Sequence, residues 1–214
     1  MIHAYDKIYL ERARTNLGRM LDFAVYDLQY DADTFFDLFI TSGIAAQFET
    51  GDFTLIAGMS GVELAYKVLE ESHIAHERVK PHYTANRSEE YWAGWALAYY
   101  QWYTALSFRE IVQYIPLHDV IVLYNPYHEM DIRQFVDKMN QLYKATKPDT
   151  NLKIRRKRLS LSQRALAEAS GIPIRTIQQY EQRQKNINKA QADSLLALSK
   201  VLYCNVEDLM EKVE

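Results

Sequence analysis

Residues 162–181, SQRALAEASGIPIRTIQQYE, are compatible with few local structures. The hydroxyl of Ser162 can accept hydrogen bonds from the free N–H groups at the start of a helix, which predicts that a first helix begins there. Gly171 then supplies the left-handed backbone conformation through which a helix can end abruptly. We expect Pro173 in the first turn of a second helix, where its missing N–H costs nothing. The stretch therefore predicts a helix-turn-helix.

Apolar side chains on both predicted helices can meet in one small core formed by Leu166, Ile172 and Ile177. The small side chain of Ala167 lets the two helices cross closely. The side chains left on the outer face of the second helix include groups that can make paired hydrogen bonds to base edges. These outer residues are Ile174, Arg175, Gln178, Gln179 and Gln182. The second helix is thus predicted to contact DNA bases.

The pattern S-Q-x-x-L-A-x-x-S-G-I-x-x-x-T-I-x-x-Y-E resembles the Xre/Cro/cI class of phage and bacterial repressors. The positions in register are Ser162, Gln163, Leu166, Ala167, Ser170, Gly171, Ile172, Thr176, Ile177, Tyr180 and Glu181. The resemblance implies a five-helix, lambda-repressor-like DNA-binding domain over residues 151–214. One place departs from the family, which commonly has a polar residue and glycine after the glutamate. This chain has Gln182 and Arg183 there, so we expect the second helix to end differently.

The resemblance also implies which side chains contact DNA. Base contacts are expected from Ile174, Arg175 and Gln179, and phosphate contacts from residues at the edges of the motif. The full set of candidate DNA-binding residues is Gln163, Pro173, Ile174, Arg175, Thr176, Gln178, Gln179, Arg183, Lys185 and Asn186. Leu152 and Ile154 should anchor a preceding helix around which five cations lie. Some of these cations are expected on phosphates as well, and they are Lys153, Arg155, Arg156, Lys157 and Arg158.

Charge is divided unevenly along the 214 residues. Residues 151–214 contain 12 Lys and Arg against 7 Asp and Glu, a net charge of +5, whereas residues 1–150 contain 13 against 21, a net charge of −8. The overall charge of −3 therefore conceals a basic C-terminal domain joined to an acidic N-terminal one. This asymmetry is expected if only one domain meets phosphate, and it argues against a mere helical hairpin within a larger bundle.

Helical spacing of apolar residues predicts an all-α fold with an N-terminal helical bundle over residues 1–146. A linker is predicted at Lys147, Pro148 and Asp149, where the helical pattern breaks. The N-terminal domain resembles uncharacterised helical domains attached to Xre-type motifs, a resemblance that implies no mechanism. The roles left open for it are dimerisation and the binding of a protein partner or a small ligand.

Residues 107–122 can be aligned with the C-terminal motif from Ser107 onward. Ile111, Leu117 and Val122 then fall on its three core positions. This coincidence leaves open a degenerate second helix-turn-helix with a structural role. The role would be structural because the second half lacks the basic and amide groups that contact DNA. Two unrelated helices parted at Pro116 are the favoured alternative.

Residues 91–108 form an uncharged tract with four tyrosines. Its length would admit a membrane span. Spans, however, concentrate aromatic residues at the membrane interfaces, whereas here they run through the middle, so a buried helix is favoured. Gly94 and Ala98 allow another helix to approach closely, from this chain or from a second copy. Since aromatic surfaces favour interfaces, the tract motivates the hypothesis of a homodimer.

Signs of catalysis or metal binding are sparse. His73, His76 and His82 lie near one another in sequence, but no carboxylate or cysteine completes a known metal-ligand spacing. The chain contains no phosphate-binding glycine loop, nucleophile elbow or zinc-protease motif. The single cysteine, Cys204, is predicted to be a packing residue, and no secretory signal is evident, which favours the cytoplasm. We therefore expect neither an enzyme nor a cofactor or metal site.

These features predict a sequence-specific DNA-binding transcriptional regulator, acting as a dimeric repressor on a double-stranded operator. The alternative is an antitoxin-like protein, whose acidic N-terminal domain binds a partner such as a toxin while its C-terminal domain autoregulates the operon.

Overall fold

The computed structural model describes residues 3–83, 86–147 and 149–213. Within these ranges the chain is helical and forms no β-strand, which confirms the predicted all-α fold class. It divides into two compact units between Tyr143 and Lys144. The domain limits predicted from sequence, 1–146 and 151–214, and the roles attached to them stay predictions. Pro148 of the predicted linker lies outside the described residues.

The first unit is built from α-helices of one to four turns. They are α1 (Leu10–Tyr26), α2 (Ala32–Thr41), α3 (Ile44–Phe48), α4 (Phe53–Ile56), α5 (Gly61–Glu71), α6 (Glu89–Thr104), α7 (Phe108–Tyr114), α8 (Leu117–Val122), α9 (Tyr124–Tyr127) and α10 (Ile132–Thr146), whose end passes into the second unit. Side-chain caps begin several of them, because the oxygens of Asp31, Ser60 and Ser88 accept N–H groups of the first turns of α2, α5 and α6.

Helices α1 and α6 cross closely at the centre of the first unit, and two glycines permit the contact. A Cβ atom at Gly94 would lie 2.7 Å from the carbonyl oxygen of Leu17, and one at Gly18 would lie 2.6 Å from that of Tyr91. The helix that approaches the aromatic tract is therefore α1 of the same chain. Tyr100 is fully buried. None of the helices in the described part of the chain is long and apolar enough to cross a membrane.

The hypothesis of a second helix-turn-helix around Pro116 is wrong. Ile111 and Leu117 are buried, but Val122, which aligns with the third core position, is 73% exposed. The corresponding Ile177 is fully buried in the C-terminal unit. Val122 is the last residue of α8, and its exposure means that the third core position of the supposed motif is not buried.

The second unit contains four α-helices among its described residues, followed or interrupted by short 3-10 helices. They are α11 (Asn151–Arg158), α12 (Gln163–Ser170), α13 (Ile174–Glu181) and α14 (Ala192–Val201), with 3-10 helices at Ile187–Lys189 and Val206–Leu209. The fifth helix implied by the family is thus a single 3-10 turn. One core unites them, formed by Leu152, Leu166, Ile172, Ile177, Tyr180, Ile187, Leu195, Leu198, Leu202 and Leu209.

Candidate nucleic-acid interface

The turn between α12 and α13 is fixed by local hydrogen bonds. At the start of α12, the Ser162 hydroxyl accepts the N–H of Ala165 at 3.0 Å. At its end, Gly171 takes the left-handed conformation with φ of 70° and donates its N–H to the carbonyl of Ala167 at 2.9 Å. The capping and the turn predicted from sequence are therefore both present.

Pro173 lies immediately before α13, at its N-cap, rather than inside the first turn as predicted. Its backbone is extended, with ψ of 134°, and its carbonyl accepts the N–H of Thr176 at 2.8 Å. The difference arises because Pro173 closes the extended connection from Gly171, so that the helical conformation begins only at Ile174. The proline ring still fixes the direction in which α13 leaves the turn.

One side of α13 is anchored in the core, and this leaves the other side accessible. Ile177 is fully buried and Tyr180 is 4% exposed. The opposite side carries the residues predicted to contact bases. Of these, Ile174 is 41% exposed, Arg175 is exposed, and Thr176, Gln178 and Gln179 are partly exposed.

The polar side chains on this face are not engaged within the described chain. Arg175, Gln178 and Gln179 make no side-chain hydrogen bond or ion pair with any described residue. A guanidinium can donate two hydrogen bonds to guanine, and a glutamine amide can both donate to and accept from adenine. Ile174 can contact a thymine methyl group. This face can therefore discriminate among base pairs in a major groove.

A buried ion pair connects α11 to the end of α13 and orients Gln163. The Arg156 guanidinium donates to both Glu181 carboxylate oxygens, at 2.6 and 2.8 Å, and the side chains are 11% and 2% exposed. The hydrogen bonds that Arg156 donates to this carboxylate raise the pKa of the guanidinium. The Gln163 amide also donates to Glu181, at 2.8 Å. Since an amide nitrogen carries two hydrogens, Gln163 retains one for a phosphate oxygen.

The sequence pattern did not indicate this network, and it placed Arg156 among the candidate phosphate contacts. Arg156 is 9% exposed, so it is a positioning residue and not a phosphate contact. The residues of the pair lie 25 positions apart, so no local spacing could reveal them. The sequence contained one signal of this ion pair. Glu181 is an acidic residue at the end of the helix that is predicted to contact DNA, where a negative charge would repel phosphate unless a cation neutralised it.

Most of the basic run in α11 is paired within the unit. Lys153 and Lys157 contact Asp149 at 2.5 and 2.8 Å, and Arg155 contacts Asp208 at 3.0 Å. Hydrogen bonds from the two lysines lower the pKa of Asp149. Arg158 alone of the run has no ion pair with the described residues. Of the five cations of α11 that the sequence offered as phosphate contacts, Arg158 is therefore the one that we still expect to bind phosphate.

The sequence at the end of α13 departs from the family pattern, but the residue in the glycine position still has a left-handed backbone, so the different helix end expected from the sequence is not observed. Arg183 has φ of 55° at the place where the family commonly has glycine. Its N–H donates to the Tyr180 carbonyl at 3.2 Å, and its guanidinium donates to the Lys147 carbonyl at 3.0 Å. The Lys185 ammonium lies 5.6 Å from the centre of the Tyr180 ring.

The loop after α13 is tied back to that helix. The N–H groups of Gln184 and Lys185 both donate to the Gln179 carbonyl, at 2.9 and 3.2 Å. The Asn186 side-chain oxygen accepts the N–H of Asn188 at 2.8 Å and so begins the following 3-10 helix. Gln163 is joined to the end of α13 through Glu181. The fold therefore brings both predicted phosphate-contacting segments next to the predicted base-contacting helix.

The histidines considered as metal ligands have other contacts. The His82 ring lies 2.7 Å from an Asp27 carboxylate oxygen, and the His76 ring stacks on Tyr66 at 5.2 Å. Among the described residues no group of three or more histidine, cysteine or acidic side chains is placed to hold a metal ion.

Comparison with known proteins identifies the second unit. Residues 152–209 match the family model described as helix-turn-helix. No curated protein and no solved structure matches the chain. The Xre-type helix-turn-helix predicted for the C-terminal third is therefore confirmed, and with it a DNA-binding domain of transcriptional regulators.

Proposed function

We propose that the protein represses transcription by inserting α13 into the major groove of a specific operator. The observation that supports this most directly is the outer face of α13. The side chains of Arg175, Gln178 and Gln179 are directed away from the core and make no hydrogen bond or ion pair with the described residues. Side chains of these types can pair with base edges through two hydrogen bonds each. Occupancy of the operator would exclude RNA polymerase in the cytoplasm of a bacterial host.

Phosphate contacts position the helix in this proposal. Gln163, held by Glu181, meets the backbone on one side of the groove. Arg183, Lys185 and Asn186 meet it on the other, from the loop that folds back on α13. Contacts of this kind fix register and orientation without carrying sequence information. Base selection then depends on Arg175 and Gln179, with Ile174 and Gln178 beside them.

The protein acts as a homodimer in this proposal. Two helix-turn-helix units of this kind bind half-sites about one helical turn, roughly 34 Å, apart. A dimer doubles the number of base contacts and makes the operator nearly palindromic. The operator of this protein should therefore have two inverted half-sites.

Selection from a pool of random-sequence DNA tests the proposal and reveals the operator in the same experiment. The wild-type chain should enrich an inverted repeat with centres about 10 base pairs apart. Gln179→Ala should enrich a motif degenerate at one position of each half-site. Arg133→Ala, in the first unit, is the control and should enrich the wild-type motif. The absence of any enriched sequence, even at low salt, would argue against specific recognition.

A second candidate function is suggested by an acidic groove on the first unit. The groove has a volume of about 300 Å³, and its lining includes the apolar Phe36 and Leu117 together with Asp33, Asp37 and His118. Together with the net charge of −8 over residues 1–150, this groove suits a basic partner protein. The protein would then be antitoxin-like, with the first unit binding a toxin and the second regulating their shared operon.

Co-purification with the product of an adjacent gene separates the two candidates. An antitoxin should retain that product through low-salt washes when wild type and lose it when both Asp33 and Asp37 are replaced by lysine, because salt would screen the charge attraction that is being tested. Replacing Asp131 and Asp137 by lysine gives a control of equal charge change elsewhere on the first unit. Failure of the wild-type chain to retain any neighbouring gene product would remove the antitoxin alternative.

A further inference from the structure

Helix α14 carries a stripe of side chains that its own chain leaves accessible. Asp193, Leu196, Ala197 and Lys200 follow one another at intervals of three, one and three residues, so they share one side of the helix. Leu196 is 47% exposed, whereas its neighbour Leu195 is only 8% exposed. Leu196 is thus an exposed large apolar side chain with a charged residue on either side of it along the helix.

The stripe borders a groove that can receive another helix. Ala169 and Ser170, at the end of α12, form the opposite wall of this groove, which has a volume of about 370 Å³. Their small side chains, with that of Ala197, leave room for a helix backbone to approach Leu196 closely. Close approach increases the apolar area that two helices can bury against each other.

The charges at the two ends of the stripe are unpaired. Asp193 and Lys200 make no ion pair with any described residue. They cannot pair with each other, because seven residues of helix separate them by about 10 Å. The helix dipole accounts for an acidic residue in the first turn and a basic one in the last. It does not account for the exposed Leu196 or for the groove between them.

We propose that this stripe is the surface on which a second copy of the chain docks. An interface with two-fold symmetry must be self-complementary, since each residue meets its counterpart through the same pair of contacts. Antiparallel α14 helices related by an axis between Leu196 and Ala197 satisfy this condition. Asp193 then meets the partner's Lys200 while Lys200 meets the partner's Asp193, and the leucines pack at the centre.

This inference rests on the proposed function and names the surface of the dimer. It also moves the expected contact away from the aromatic tract of residues 91–108, because that tract is largely buried against α1 in its own chain. A single helical stripe is smaller than a standard interface of about 1,600 Å². We therefore expect weak association in free solution and stronger association on DNA, where a bound neighbour raises the effective concentration.

Charge exchange on the full-length chain tests the pairing. Sedimentation velocity over a concentration series at low salt should show that Asp193→Lys and Lys200→Asp each weaken self-association roughly tenfold or more, because each places like charges together. The double variant, with both substitutions, recreates two opposite-charge pairs and should return to within about threefold of wild type. Glu207→Lys is the control, since it makes the same charge change at an exposed residue outside the stripe and should have no effect.

Several outcomes would overturn the proposal. They are a wild-type chain that stays monomeric at every concentration, single variants that associate like wild type, and a double variant that stays as weak as the singles. Circular dichroism verifies that each variant is folded. Binding to DNA with one half-site separates this inference from the proposed function. The single variants should keep wild-type affinity there, whereas failure of the wild type itself would contradict the function and leave the self-association result intact.

Discussion

Gly171 and Tyr203 are two of the residues in the second unit that follow a helix in the left-handed conformation, and their side chains differ. Gly171 ends α12 with φ of 70°, and Tyr203 follows α14 with φ of 50°. A residue with a Cβ atom loses about 1–2 kcal/mol in this conformation, whereas glycine adopts it without steric cost. Tyr203 is 88% exposed, so little packing of its ring offsets the strain.

Replacing Tyr203 by glycine should therefore stabilise the second unit. We expect the free energy of unfolding to rise by about 1 kcal/mol. Relief of the backbone strain raises this free energy, and the greater freedom of glycine in the unfolded chain takes back part of the gain. Urea denaturation followed by far-ultraviolet circular dichroism measures it. Tyr203→Ala is the control, because it removes the ring and keeps the Cβ atom, and it should show no such gain. An equal gain in both variants would refute the strain explanation.

At Glu181, in contrast, we expect a substitution that removes the charge to lower the free energy of unfolding. Glu181→Gln leaves the Arg156 guanidinium buried without its counter-charge and should destabilise the second unit by about 2–4 kcal/mol. The paired replacement Arg156→Met with Glu181→Leu removes both charges and should recover most of this loss. Denaturation of Arg156→Met, of Glu181→Leu and of the double variant closes the cycle and gives the coupling energy. Independent, additive effects would contradict the pairing.

At the scale of elements, capping and turn chemistry allowed α12 and α13 to be predicted from the sequence. Ser162 and Gly171 act on backbone groups a few residues away, so their effect is visible in a local pattern. The start of α13 was placed one residue too early, because the sequence shows a proline but not whether its ψ is helical or extended. The five-helix expectation was met only with a 3-10 turn as the last helix.

Contacts between elements were predicted less well, because they depend on which helices meet. The basic run of α11 indicated phosphate binding, but most of its cations form ion pairs with acidic residues outside that helix. Asp149 lies just before α11, whereas Glu181 and Asp208 are distant from it in sequence. Gly94 correctly indicated a close helix crossing. It carried no information on the partner, which the structure identifies as α1.

The crossing of α1 and α6 yields a prediction of its own. Gly94→Ala would place a methyl group against the Leu17 carbonyl, which is backbone and cannot swing aside. Overpacking of this kind costs roughly 1–3 kcal/mol, partly offset by the better helix propensity of alanine. All three tryptophans lie on α6, so their fluorescence reports unfolding of the first unit alone.

We expect an earlier fluorescence transition in urea for Gly94→Ala than for wild type. The affinity of the same variant for operator DNA serves as the control, because the second unit lies outside the altered crossing, and it should not change. A fluorescence midpoint equal to that of wild type would show that α1 and α6 can separate without loss of stability.

At the scale of the whole molecule, the uneven charge distribution indicated which domain is expected to bind DNA, but it overstated the number of cations that are left to bind phosphate. The second unit has a net charge of +5 over residues 151–214, yet four cations of α11 are occupied by internal ion pairs. Affinity should therefore depend on few phosphate contacts and fall less steeply with salt than the charge count suggests. Under the proposed function, specificity comes from the side chains on α13.

The most direct test of this account is the ratio of affinities for operator and unrelated DNA, measured for wild type and Arg175→Ala by titration at several salt concentrations. Arg133→Ala is the matched control, since it removes an arginine from the first unit and should leave the ratio unchanged. If Arg175 contacts a base, its loss should cost about 1–3 kcal/mol on the operator and almost nothing on unrelated DNA, so the ratio falls. Equal weakening on both DNAs, with a smaller salt dependence, would assign Arg175 to phosphate and contradict base recognition by α13.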